Sequence, residues 1–180
     1  MQERGENSYG GPMPQRTDFS AMACSIARSW DVIGEPWTPL ILRDLVVGLH
    51  RFDQLTTDLG IAPNVLTTRL ETLQSAGVIE RRPYSDGGRT RHDYHLTDMG
   101  MDLVPVVVAL TNWGDRWLSA ETPPAVFRHL GCGDAPITAT VSCSSCGQSL
   151  TAEGLEVQRG PGSRRGPGTQ IIGDALHQPS

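Results

Sequence analysis

The chain contains no lysine. Its 15 basic residues are all arginine, set against 20 acidic residues for a formal charge of -5. A surplus of acid excludes a protein that coats nucleic acid or an anionic membrane by bulk charge, although a local basic patch remains open. Aromatic residues make up only 6%, yet 38% of the 180 residues are apolar. That supports a packed core and excludes wholesale disorder. Long apolar runs are missing as well. The stretches at 40–47 and 103–110 are too short and too interrupted to span a bilayer, so no membrane association is expected. Residues 1–10 are polar and show no secretory signal, which makes the cytoplasm the expected compartment. Cysteine is sparse. In that compartment Cys24, Cys132, Cys143 and Cys146 are expected as thiols or metal ligands rather than disulfides.

Residues 1–18 and 161–180 are rich in Gly, Pro, Ser and Gln without a period, and are expected to be disordered. A linker is expected at 121–124, separating a domain at 19–120 from an appendage at 125–160. Within 19–120 the apolar spacing gives a helix over 19–34, with Met22, Ile26, Trp30 and Ile33 on one face. Thr38 before Pro39 reads as the cap of a second helix. A very short strand at 50–52 and a helix capped by Asp53 and closed by Gly60 follow. The next helix starts at Ala62-Pro63-Asn64 and buries Leu66, Leu70 and Leu73, at i, i+4 and i+7, before stopping at Gly77. Two extended runs, 78–84 and 90–97, flank a turn containing Gly87-Gly88. A final helix capped by Thr97 and Asp98 would turn Leu103, Val107, Leu110, Gly114 and Trp117 inward, with a kink at Pro105. The fold class is therefore α+β, mostly helical: a winged helix-turn-helix with a small C-terminal appendage.

Several runs in this core resemble the HxlR-type winged-helix transcriptional regulators, which stand close to the MarR group. They are CSIAR at 24–28, GEPWT at 34–38, LILRDL at 40–45, RFDQL at 51–55, IAPNVLTTRL at 61–70, LQSAGVIER at 73–81 and YHLT at 94–97, with Gly100 after them. The resemblance covers roughly half of the chain and implies a dimeric, sequence-specific DNA binder. Two positions depart from it. Ala62 stands where many members have a serine, which removes a hydroxyl cap worth about 1 kcal/mol, unless Asn64 replaces it. Ser25 follows Cys24 where a proline is usual.

In such a fold the fourth helix would place Asn64, Thr67, Thr68 and Glu71 in a major groove, while Arg69 could reach phosphate or pair with an acid. Arg81, Arg82, Arg89, Arg91 and His92 cluster on the hairpin. Arg89 and Arg91 are the expected minor-groove contacts, since Arg81 and Arg82 are adjacent on a strand and point to opposite faces. Ordinary solvated helix and hairpin faces are the plain alternatives. The 103–117 seam is the candidate dimer helix, with an intramolecular core role as the alternative. A homodimer would span two operator half-sites about 34 Å apart.

The appendage carries His129 and Cys132, then Cys143 and Cys146, each pair at x2 spacing and each followed by Gly. Such knuckles could close a structural Cys3His zinc site, with small strands at 138–141 and 155–158. This is similar to a zinc-ribbon-like tail found in some members of the same family. Free thiols, a redox pair, or a fourth ligand other than His129 remain open. Cys24 is a possible thiol sensor by the same resemblance, or a small core residue. An electrophile or small molecule is therefore a possible effector. Repression is the expected outcome, with activation open. Two other functions stand beside this one: a protein-interaction module that no longer binds DNA, and a thiol oxidoreductase using Cys143 and Cys146. No nucleotide loop or catalytic triad supports other enzymology.

Overall fold

Leucines at helical spacing set the core. In the computed structural model, residues 18–118, 122–133, 135–158 and 160–171 are described. The element order is α1 (Ser25–Ile33), α2 (Thr38–Val46), α3 (Phe52–Leu59), α4 (Pro63–Ser75), β1 (Ile79–Asp86), β2 (Arg89–Leu96), α5 (Asp98–Met101) and α6 (Val104–Trp117), with a 3-10 turn at Ala152–Gly154. Ile41, Leu42 and Leu45 of α2 meet Leu55 of α3, Leu66, Leu70 and Leu73 of α4, and Val107 of α6. Each such side chain removed from water contributes about 1.5–3 kcal/mol before chain entropy is set against it. The helices pack as a bundle on which the β1–β2 wing stands, so the winged helix-turn-helix and the mostly helical α+β class are both present. Among the described residues no helix is long and apolar enough to cross a membrane.

Several boundaries differ from the expectations. The first helix begins at Ser25 rather than 19, and Cys24 is its N-cap rather than a member of it. Its expected inward face is split: Ile33 packs on the core, whereas Ile26 is 75% exposed and Trp30 is also exposed. Trp37, not Thr38, caps α2, and Thr38 is buried in its first turn. Arg51, not Asp53, caps α3, with its N–H donating to Gln54 Oε1 at 2.9 Å. The short strand at 50–52 reduces to one bridge, Arg51 to Asp93.

The expected kink at Pro105 is instead a break. α5 ends at Met101, and α6 starts at Val104 with Pro105 in its first turn, where a missing N–H costs nothing. Gly100 explains why α5 sits so tightly: a Cβ there would lie 2.2 Å from the Val78 carbonyl oxygen. The seam is also split. Leu103 and Val107 face the core, as does Val108, but Leu110 and Trp117 are exposed.

Beyond α6, two small hairpins form. Ile137 N–H donates to the Phe127 carbonyl at 2.8 Å, and Leu150 N–H to that of Val141 at 2.8 Å. The pairing lies at Arg128–Pro136 and Ser142–Ser149, so the strands expected at 138–141 and 155–158 do not form. Each ligand-bearing turn closes its own hairpin. Asn112 of α6 fastens the first one, accepting from Ala139 N–H at 2.8 Å and donating to the Ile137 carbonyl. The segments at 1–17 and 172–180 lie outside the described residues. Residues 161–171 run in turns, with Gly168 against Met22.

Candidate nucleic-acid interface

α3, the turn through Gly60, and α4 form the helix-turn-helix. Gly60 takes φ 61°, the left-handed conformation that lets the chain reverse between the two helices. Burial of Leu66, Leu70 and Leu73 leaves Asn64, Thr67, Thr68 and Glu71 exposed together along the other side of α4. The Thr67 hydroxyl donates to the Pro63 carbonyl at 2.9 Å, and that of Thr68 to the Asn64 carbonyl at 3.0 Å. These bonds use the hydroxyl protons and leave both oxygens as acceptors. Such a face offers acceptors and methyl groups suited to base amines and thymine methyls.

Arg69 pairs with acid rather than standing ready for phosphate. Its Nη2 lies 3.1 Å from Glu35 Oε2, fastening α4 to the turn before α2. The hydroxyl cap is absent: Ala62 holds the N-cap position with extended backbone and makes no side-chain cap hydrogen bond.

The wing is an eight-residue pair of strands closed by Gly87 and Gly88, at φ 57° and 81°, with Asp86 opposite Arg89. Two successive positive φ values are what a two-residue hairpin loop requires. Arg91 is partly engaged, its Nε 3.1 Å from Asp86 Oδ2. Arg82 donates to Glu80 at 2.8 Å, and Arg81 meets His92 Nδ1 at 3.0 Å. Arg89 makes no ion pair among the described residues.

The root of the wing carries residues that sequence reasoning missed. His50 stacks on His95 with ring centroids 4.2 Å apart, and His95 Nε2 lies 3.1 Å from Asp93 Oδ2. Arg51 lies over the Tyr84 ring, 5.1 Å from its centroid. Asp93 and His95 read as the solvated half of an alternating strand, but the loop at 49–51 covers that side, leaving both faces half-buried. Nothing in a period of two announces that cover.

All four cysteines are free thiols. His129 Nδ1 lies 3.0 Å from Cys132 Sγ. In the other knuckle, the backbone N–H of Cys146, then that of Ser145, and the Cys146 thiol hold the Cys143 thiol below its ordinary value. Positive φ at Gly131, Gly133 and Gly147 shapes these turns. The donor set of one imidazole and three thiols fits a tetrahedral zinc. The gathering stops at two pairs: among the described residues no group of three or more candidate ligands comes together. Cys24, half-buried at the start of α1, lies in a groove with Met22, Arg28 and Arg164. Arg28 donates to the Ser25 hydroxyl at 3.5 Å.

Comparison with known proteins bears on the whole arrangement. The profile of the HxlR-like helix-turn-helix family matches residues 32–122. An uncharacterised HTH-type transcriptional regulator of Mycobacterium tuberculosis is 40% identical over 139 residues, covering 77% of this chain and 87% of that protein. One from Synechocystis is 35% identical over 100 residues, covering 55% and 73%. Among solved structures, PA1607, described as a candidate transcription factor, superposes with a TM-score of 0.67 at 36% identity, covering 76% of this chain and 95% of that one. A second candidate transcription factor, from Pseudomonas aeruginosa, gives 0.55 at 37% identity, covering 78% and 95%. These relatives are regulators, not enzymes, which removes the oxidoreductase reading. The chain is a transcriptional regulator with a helix-turn-helix DNA-binding domain, and it belongs to the HxlR-like helix-turn-helix family.

Proposed function

We propose that the protein binds an operator as a homodimer in the cytoplasm, each protomer laying α4 in a major groove and its wing in the adjacent minor groove. The observation that carries this reading is the exposed row Asn64, Thr67, Thr68 and Glu71 on a helix whose opposite side is anchored by three buried leucines. Asn64 would read adenine, the two threonines would accept from base amines, and Glu71 would accept from cytosine. Arg89 and Arg91 would enter the narrow groove, where Arg is favoured. Two protomers would address half-sites about 34 Å apart. Exposed apolar side chains on α1 and α6, including Ile26, Trp30, Trp113 and Trp117, supply the surface for pairing.

In the appendage, His129, Cys132, Cys143 and Cys146 would hold one zinc, which would draw the two hairpins together and act structurally. An appendage this small buries little apolar surface of its own and gains most from such a staple.

A gel shift of the DNA upstream of the protein's own gene tests the main reading. A retarded band that survives excess unrelated duplex is expected, and failure to bind any genomic fragment at low salt contradicts it. For the metal, elemental analysis should find about one zinc per chain, and chelation should expose residues 125–160 to protease. Less than about half an equivalent counts against the site.

A further inference from the structure

The wing is a long lever on a narrow base. It is a two-stranded sheet, and a lone hairpin is marginal in water, so its direction is set by whatever holds its root. At about 3.3 Å per residue, Arg89 lies about 17 Å along β2 from Tyr94. A tilt of about 20° at Tyr94 would move the tip by about 6 Å, beyond the reach of a hydrogen bond.

The residues that lead into α3 hold that root. The Tyr94 N–H donates to the His50 carbonyl at 2.8 Å. His50 Nδ1 lies 2.9 Å from the Tyr94 carbonyl oxygen. A carbonyl only accepts, so Nδ1 carries the proton and donates it. One half-buried residue thus exchanges two bonds with β2. The His50 ring also stacks on that of His95, which Asp93 Oδ2 orients from 3.1 Å. Arg51, the N-cap of α3, lies over the Tyr84 ring of β1. Both strands are therefore gripped from the start of the helix-turn-helix, by residues outside the α4 row and the wing tip.

We infer that His50 is a positioning residue for DNA binding: its Nδ1–H and ring clasp the wing root to α3 and so aim Arg89 and Arg91, while His50 itself touches no DNA. The inference rests on the wing contact proposed above. Ordinary packing at His50 would stabilise the chain without tying His50 to the tip. A clasp ties the two together, so that the arginines contribute only while His50 holds the root.

The experiment is a mutant cycle in the full chain, read as affinity for the duplex upstream of the protein's own gene, beside exchange of the Tyr94 amide without DNA. In the parent, the Arg89→Ala, Arg91→Ala pair should lower affinity and flatten the salt slope by about 0.9 per lost phosphate contact. In His50→Ala the same pair should change affinity by less than about twofold, because the tip is no longer aimed. His50→Ala alone should carry most of the loss, with the Tyr94 amide exchanging at least about tenfold faster. His50→Asn puts an N–H where Nδ1 stood and should regain at least about half of the lost affinity on a logarithmic scale. His50→Leu keeps bulk without the donor and replaces the Ala variant if circular dichroism shows that one unfolded. An arginine-pair effect as large in His50→Ala as in the parent overturns the inference. So does unchanged exchange at Tyr94, or no recovery in His50→Asn. A parent insensitive to the arginine pair marks instead the failure of the wing contact, and the inference falls with it.

Discussion

Arg89 and Arg91 stand two residues apart on β2, yet their surroundings differ. Arg91 is held by Asp86, whereas Arg89 makes no ion pair among the described residues. In the proposed complex Arg89 would therefore reach a phosphate or groove edge without first breaking an ion pair. Replacing both with Ala should weaken DNA binding and flatten its salt dependence by about 0.9 log unit per lost phosphate contact. Arg89→Ala alone should show the larger share. Binding isotherms across a salt series measure this, and an unchanged slope in the double variant refutes the wing assignment.

At the same scale, Asp44 on α2 is buried, and that burial holds its carboxyl above the ordinary value against the hydrogen bond and charge of Arg43, with a consequence for stability. Below its ordinary value of 3.8 the group is neutral in both folded and unfolded chains. As pH rises above that, the folded chain holds the proton longer than the unfolded one, so the stability carried by the neutral form is lost. Asp44→Asn does not ionise. It should gain on the parent protein as pH rises above the ordinary carboxyl value of 3.8, measured by denaturant unfolding at each pH. A difference that does not change with pH contradicts the burial argument. Arg43 and Asp44 stand in the sequence as two adjacent charges inside an apolar helical run, and which of them is buried depends on the side of α2 that the other helices cover.

Among the elements, α4 and the hairpin were the most legible. Three leucines at i, i+4 and i+7, and a Gly-Gly pair between extended runs, leave few alternatives. The ends of helices were less so, because a cap depends on geometry that several neighbouring residues can supply: Trp37 and Arg51 took positions expected for Thr38 and Asp53. Pro105 fits both a kink and a first turn, and the end of α5 at Met101 with the start of α6 at Val104 puts it in a first turn. The α4 cap offers a direct prediction. Ala62 has extended backbone and gives no side-chain acceptor to the first turn. Ala62→Ser should stabilise the fold by about 1 kcal/mol, seen as a higher denaturant midpoint at unchanged slope. No change in midpoint would mean that the first-turn N–H groups are already well satisfied.

For the whole molecule, the periodicity of α1 and α6 was legible but its destination was not. Apolar spacing marks a face that avoids water; it does not say whether the cover comes from the same chain or another. Leu103 and Val107 found the core, while Ile26, Trp113 and Trp117 did not. The dimer proposed here uses that remainder. Trp113→Arg should shift the monomer–dimer midpoint by at least about tenfold, or about 1.4 kcal/mol, in sedimentation equilibrium. A protein that is monomeric before the substitution contradicts the dimer. The appendage was legible only as two knuckles, since spacing within a turn is local and the approach of one turn to another is not.

The central claim is that α4 reads bases while the rest of the surface holds the backbone. Its most direct test is the ratio of affinities for the protein's own upstream duplex and a scrambled duplex, in the parent and in an Asn64→Ala, Thr68→Ala double variant. The account predicts a parent ratio of at least about a hundredfold that falls to near unity in the variant, with scrambled-duplex affinity little changed. A ratio that survives the double substitution would contradict it.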